Sequence, residues 1–159
     1  MAVGQSSDQP GGSVTNADRR TTGFALRYWD ERKRGRRCPA TADLDPGESP
    51  RLRDHAFVVA VATESHGFTV TYSGPSLARL CGADPTGQPI DRCLPAPLRE
   101  RTVQFLETAT SLKRPMADSS RYTDNAGNVV AYRTVLMPLA GERGAVDHLF
   151  GVLTYKTEA

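Results

Sequence analysis

The chain has 159 residues, and its 20 Lys and Arg against 18 Asp and Glu leave a formal net charge of +2. That length holds one domain, and the near-neutral balance argues against a dedicated nucleic-acid binder, whose footprint is strongly basic. A composition 38 % hydrophobic and 24 % charged suits one globular core. The longest apolar run, residues 56–62, is far too short to span a bilayer. The opening residues lack the basic and apolar regions of a signal peptide. Cys38, Cys81 and Cys93 are odd in number and form no Cys-x-x-Cys pair, so neither a disulfide framework nor a zinc knuckle is expected. The expectation is a soluble, cytoplasmic domain with no membrane contact. Its 17 Arg against 3 Lys point to a GC-rich, bacterial genome.

Residues 1–23 contain no Leu, Ile or Phe and read as a disordered tail, leaving an ordered domain at 24–157. A helix is predicted from Phe24, capped by Thr21 or Thr22 and ended by Gly35, with Phe24, Leu26, Tyr28 and Trp29 as its apolar residues. The proline-rich stretch 38–50 reads as an extended connector. Residues 55–63 read as a buried strand. Residues 68–73 alternate apolar and polar side chains, the mark of a strand with one face in the core. A turn at Glu64–Gly67 joins the two. A short helix ends on Gly82, and residues 83–96 read as an irregular loop. A longer helix carries Leu98, Thr102, Phe105, Leu106 and Ala109 at helical spacing, and Pro115 bars its continuation. Three strands follow at about 116–123, 128–139 and 146–156, joined by turns at Asp124–Gly127 and Gly141–Gly144. The pattern predicts an α+β fold built on one antiparallel sheet.

Several fragments occur in an order that resembles a PAS domain, more closely the small single-domain PAS proteins of alphaproteobacteria. They include Trp29 on the first helix, the Asp43-Leu44-Asp45-Pro46 connector, Tyr72-Ser73-Gly74, Leu80-Cys81-Gly82, Met137-Pro138-Leu139 and the stretch from Val146 to Gly151. Thr41 and Arg133 depart from that group's usual residues. The resemblance implies a five-stranded antiparallel sheet with helices packed on one face and an additional N-terminal helix. It also implies a non-catalytic sensory, signalling or protein-interaction module. A small ligand would sit between sheet and helices, where Tyr72, Cys81, Tyr132 and His148 are the candidate lining residues. PAS-like proteins pair through the helix before the first strand, which makes Tyr28 and Trp29 candidate interface residues of a homodimer or of a contact with a separate signalling protein.

No cofactor is expected. Flavin-binding PAS domains carry an Asn-Cys-Arg type motif, and Cys93 lacks the adjacent Asn. Haem PAS domains place a histidine on the helix beside the pocket, and residues 97–113 contain none. No nucleophile, metal or phosphate-loop motif occurs, so neither a metal site nor a catalytic residue is named. Two alternatives stay open. One is a small enzyme using the α+β cavity. The other is a nucleotide or nucleic-acid binder acting through residues 27–37, which hold five arginines and one lysine interleaved with two aromatics.

Overall fold

The computed structural model describes residues 16–62 and 67–158. Five strands, β1 (Ala56–Val61), β2 (Phe68–Ser73), β3 (Met116–Thr123), β4 (Val129–Ala140) and β5 (Val146–Glu158), pair antiparallel in the order β2-β1-β5-β4-β3. Four helices accompany them: α1 (Asn16–Lys33), α2 (Pro75–Cys81), α3 (Ile90–Cys93) and α4 (Ala96–Leu112). This is the α+β layout on a single antiparallel sheet that the sequence pattern predicts.

Two boundaries differ. Helix α1 begins at Asn16 rather than Phe24, so residues 16–23 are helical and do not belong to a tail. Thr21 and Thr22, expected as caps, sit inside the helix and donate back to the carbonyls of Ala17 (3.0 Å) and Asp18 (3.1 Å) one turn earlier. The remainder of the expected tail, residues 1–15, lies outside the described residues, as does most of the predicted turn at 64–66. The second difference is α3, a single turn within the loop expected at 83–96.

The sheet is covered on both faces. Period-two alternation sends Phe57 and Val59 of β1, Tyr132 and Leu136 of β4, and Leu149 and Leu153 of β5 toward α2, α3 and α4. Their neighbours Val58, Val135, Met137, Phe150 and Val152 face the other way, toward α1 and the connector. The additional N-terminal helix therefore lies opposite the other three. It buries Thr22, Ala25, Tyr28 and Trp29, which share one helical face.

The Trp29 indole N–H donates to the Pro138 carbonyl at 2.8 Å. Proline is tolerated there because β3 stops pairing at Leu136, leaving that edge of β4 free beyond it. Ala140, two residues on, uses the same edge to donate to Pro39 at 2.9 Å. The connector is clamped to α1 by the Tyr28 hydroxyl, which donates to the Asp45 carbonyl (3.1 Å) and to the Glu48 carboxylate. Arg32 pairs with Glu48 at 2.8 Å and lays its guanidinium 3.6 Å from the Tyr28 ring centroid. Arg36 pairs with Asp43 one turn further along.

Where β1 meets β5, Phe57 lies opposite Gly151. A Cβ on Gly151 would stand 2.1 Å from the Phe57 ring, so glycine is required for the ring to rest on bare backbone. Gly151→Ala is expected to lower stability by about 1–3 kcal/mol in equilibrium urea unfolding, the usual cost of overpacking. A loss below about 0.5 kcal/mol would show that the ring yields freely.

The Glu48 carboxyl is held below its ordinary value chiefly by the Tyr28 hydrogen bond, then by Arg32. A depressed carboxylate pKa stabilises the fold above the unfolded value, and that contribution is lost as pH falls through the folded one. Glu48→Gln is therefore expected to unfold at lower temperature than the parent at pH 7, with the gap closing below about pH 4.5, the carboxyl's ordinary value. Melting midpoints from neutral to acid pH check this; a gap that persists unchanged in acid would contradict it.

Candidate functional site: an apolar cavity beneath the helices

Between the sheet and α2–α4 lies a cavity of about 40 Å³. Its sheet side is formed by Phe57, Asp118, Tyr132, Thr134, Leu136 and Leu153, and its helix side by Leu77, Leu80, Ile90, Leu94, Leu98, Thr102, Phe105 and Leu106. Helix α4 can offer that face because Pro97 occupies its first turn and Leu98, Thr102, Phe105 and Leu106 recur at helical spacing. Lys113 ends the helix in the left-handed region.

The lining is almost wholly hydrocarbon, which makes its polar atoms informative. The Tyr132 hydroxyl is buried and has no hydrogen-bond partner among the described residues. Ser120 and Arg101 lie close enough to influence its ionisation without standing in bonding geometry. Burial first, and Asp118 second, push the Tyr132 hydroxyl above its ordinary value, so it stays protonated at neutral pH. Asp118 is gripped by Arg101 in a two-pronged contact, Nε to Oδ2 at 2.8 Å and Nη2 to Oδ1 at 2.6 Å. That fork ties α4 to β3 beside the cavity. It also holds the arginine charged, its pKa raised first by the Asp118 hydrogen bond.

Of the four candidate lining residues, the fold brings only Tyr132 to the cavity. Tyr72 lies on the other face. The β1–β2 register jumps from Val58↔Tyr72 to Val59↔Val70, leaving Thr71 as an extra residue. This bulge resets the alternation, so Tyr72 packs beside Val58 on the α1 side and donates to the Arg53 carbonyl at 3.3 Å. His148 also faces that side, paired in register with Leu139. Its Nδ1 stands 2.9 Å from the Asp147 carboxylate and 3.4 Å from the Thr41 hydroxyl. Cys81, at the end of α2, packs on the same apolar core without lining the cavity. The residues that sequence reasoning missed include Phe57, Asp118 and Thr134. Their signal was the period-two alternation of their strands, but choosing the cavity face needs the helices in place.

Tyr28 and Trp29 are not an exposed interface. They retain 7 % and 5 % of their surface and belong to the core between α1 and the sheet. The connector covers the helix, Arg32 stacks on Tyr28, and Arg51 stacks on Phe24 at 4.3 Å from ring centroid to guanidinium carbon. The apolar face of α1 is thus covered within the chain.

The residues present do not fit a flavin or a haem. Cys93 sits on α3 with its thiol donating to the Pro89 carbonyl at 3.4 Å, and it does not line the cavity. The lining contains no Asn, Gln or His. Asn125 and Asn128 belong to the β3–β4 turn, and His55 is engaged with Ser76 at 3.1 Å.

A family model described as a PAS domain matches residues 18–154. The chain belongs to the PAS domain family. PAS domains are in general sensory and signalling modules and are typically non-enzymatic. This PAS domain is also similar to a LOV protein of Rhodobacter sphaeroides, at 16 % identity and a TM-score of 0.49, over 66 % of this chain and 60 % of that one. The light-state LOV domain of Aureochrome1 is similar at 13 % identity and a TM-score of 0.46, over 67 % of this chain and 84 % of that one. A PAS domain from Colwellia psychrerythraea gives 16 % and 0.47, over 64 % and 86 %. Comparison with curated proteins gives no match.

Burial, and then the nearby Cys93, push the Cys81 thiol of this PAS domain up to about 12. At pH 8 its thiolate fraction is then far below that of an ordinary cysteine. Iodoacetamide labelling followed by peptide mass mapping is expected to modify Cys81 at least roughly a hundredfold more slowly than a free cysteine peptide. Comparable rates would place the thiol in open solvent.

Proposed function

We propose that this PAS domain is a non-catalytic sensory module whose cavity takes a small, largely apolar ligand with one hydrogen-bonding group. The observation that carries the reading is the unpartnered Tyr132 hydroxyl in an otherwise hydrocarbon lining. A buried polar group without a partner is costly, and a ligand atom placed against it removes that cost. The cavity is small as it stands, so such a ligand enters by parting α4 from the sheet or by moving the Phe57 ring. The occupied state then differs from the empty one in the position of α4, and a separate signalling protein or a second copy of the chain reads that difference. A contact of this kind uses a surface other than Tyr28 and Trp29.

The same lining supports the non-catalytic part of this reading. Its single carboxylate is neutralised by Arg101 and its hydroxyls are protonated, so no base is poised there. Among the described residues no group of three metal-binding side chains occurs, and no helix is long and apolar enough to cross a membrane. The three cysteines are free, in keeping with a reducing, cytoplasmic setting.

Native mass spectrometry of the freshly purified chain, beside Tyr132→Phe, tests the reading. The parent is expected to carry a small molecule at partial or full occupancy, and the variant to carry less. Because the variant deletes an unsatisfied hydroxyl, its stability should be unchanged or raised by up to about 1 kcal/mol. Equal occupancy in both proteins, or a stability loss above about 1 kcal/mol, would sink the assignment of Tyr132 as the ligand's partner.

A further inference from the structure

The arginines of this chain divide into two sets. Within the arginine-rich stretch, Arg32 pairs with Glu48, Lys33 with Asp30 at 2.9 Å, and Arg36 with Asp43, so much of its charge is neutralised inside the chain. A second set, sharing only Arg27 with that stretch, lies toward the start of α1 and beside it. Arg19, Arg20, Arg27 and Arg51 surround Gly23 in an open groove of about 520 Å³ on the outer side of α1. None of these four forms an ion pair among the described residues. We propose that this groove is a binding site for a small phosphorylated molecule carrying at least two adjacent phosphates.

Gly23 is the first argument. A glycine inside a helix costs about 1 kcal/mol relative to alanine. Space does not demand it, since a Cβ there would meet only Arg27 Nη1, at an ordinary 3.8 Å. What the missing side chain provides is a bare floor on which a ligand can approach the helix backbone. The walls are the second argument. Arg20, Gly23 and Arg27 are three and four residues apart on one helical face, and Arg51 closes the groove from the connector. Arg51 is already oriented, its guanidinium lying over the Phe24 ring. Beneath this end of α1, the half-buried Arg133 holds Thr22 at 3.2 Å and Ser119 at 3.1 Å, and feels the charge of Arg19. Asp18 in the first turn is engaged in contacts of its own.

Guanidinium forks bind phosphate oxygens in pairs, and several converging on one groove suit a ligand with more than one phosphate. The size of the groove lies in the range of small-molecule sites and leaves room for an attached nucleoside-sized group. A nucleic-acid strand fits less well, because ion pairing interrupts the positive stripe beyond Arg27 and the chain is nearly neutral. A membrane surface fits less well too, since the exposed large hydrophobic residue, Leu112, ends α4 and α1 has none. The site lies on the opposite side of the sheet from the cavity, so the two readings fail independently.

Isothermal titration of the full chain with inorganic pyrophosphate at low salt tests the proposal, with orthophosphate, a short single-stranded oligonucleotide and phosphatidylglycerol vesicles run alongside. Saturable binding of one pyrophosphate per chain is expected, tighter than that of orthophosphate. The double variant Arg27→Gln/Arg51→Gln should weaken it at least roughly tenfold. Gly23→Glu, which replaces glycine by a good helix former and puts a carboxylate on the floor, should do the same while the thermal midpoint holds. Should Gly23→Glu fail to fold, the arginine pair decides alone. No saturable binding at millimolar pyrophosphate, or undiminished binding in the folded variants, overturns the site. Tight binding of oligonucleotide or vesicles that pyrophosphate does not displace overturns the ligand class.

Discussion

The hydrogen bond from the Trp29 indole to the Pro138 carbonyl holds the second face of the sheet shut. A five-stranded sheet with apolar residues on both faces needs two covers. Helices α2, α3 and α4 supply one, and α1 with its connector supplies the other. Trp29 joins them at the one stretch of β4 whose outer edge β3 leaves open. Removing that contact would expose Val135, Met137, Phe150 and Val152 together, because all of them pack on the same helix face. The connector depends on it as well, since Tyr28, one residue earlier, is what clamps Asp45 and Glu48.

Closing the sheet in this way divides the labour between its faces. The side under α1 is dense and cross-linked by hydrogen bonds and ion pairs, and acts as the rigid support. The side under α4 keeps the cavity and the unpartnered Tyr132 hydroxyl, held chiefly by hydrocarbon contacts and the Arg101–Asp118 fork. Hydrocarbon packing has no directional demand, so it tolerates a shifted helix better than a network of hydrogen bonds does. Under the proposed function, that asymmetry favours movement in α4 and the residues around it.

Charge follows the same division of labour. Asp30 pairs with Lys33 within the C-terminal half of α1, while Glu48 and Asp43 of the connector meet Arg32 and, just past the helix, Arg36 and so fasten the connector. Arg19, Arg20, Arg27 and Arg51 form no ion pair among the described residues and leave a concentrated positive groove. Density of arginine along the sequence is therefore a poor guide to where positive charge is available. The densest stretch is the more neutralised one.

The element pattern was legible from residue chemistry alone. Two strands, 68–73 and 116–123, fall on the residues that alternation and turn residues mark, and Pro97 and Pro115 bracket α4 as their missing N–H groups require. Local signals suffice there because they act within a few residues. The sequence reading failed wherever the answer depended on what arrives from far along the chain. Tyr28 and Trp29 read as interface candidates, since nothing local says that a connector and the strand residues near 138 will cover them. The resemblance made Tyr72 a cavity candidate, and a bulge at Thr71, imposed by pairing with β1, turns it to the opposite face. His148 was misplaced because the faces of β5 are defined only by its partners on β1 and β4. Gly151 carried no local signal, and only the approach of Phe57 from ninety-four residues earlier (151 minus 57) explains it. Sequence alone determined which segments are strands and helices, through periodicity and backbone stereochemistry. Tertiary structure decided which side chains meet in the cavity and which arginines are left unpaired, because register, bulges and ion pairs are contacts between residues that the chain order keeps apart.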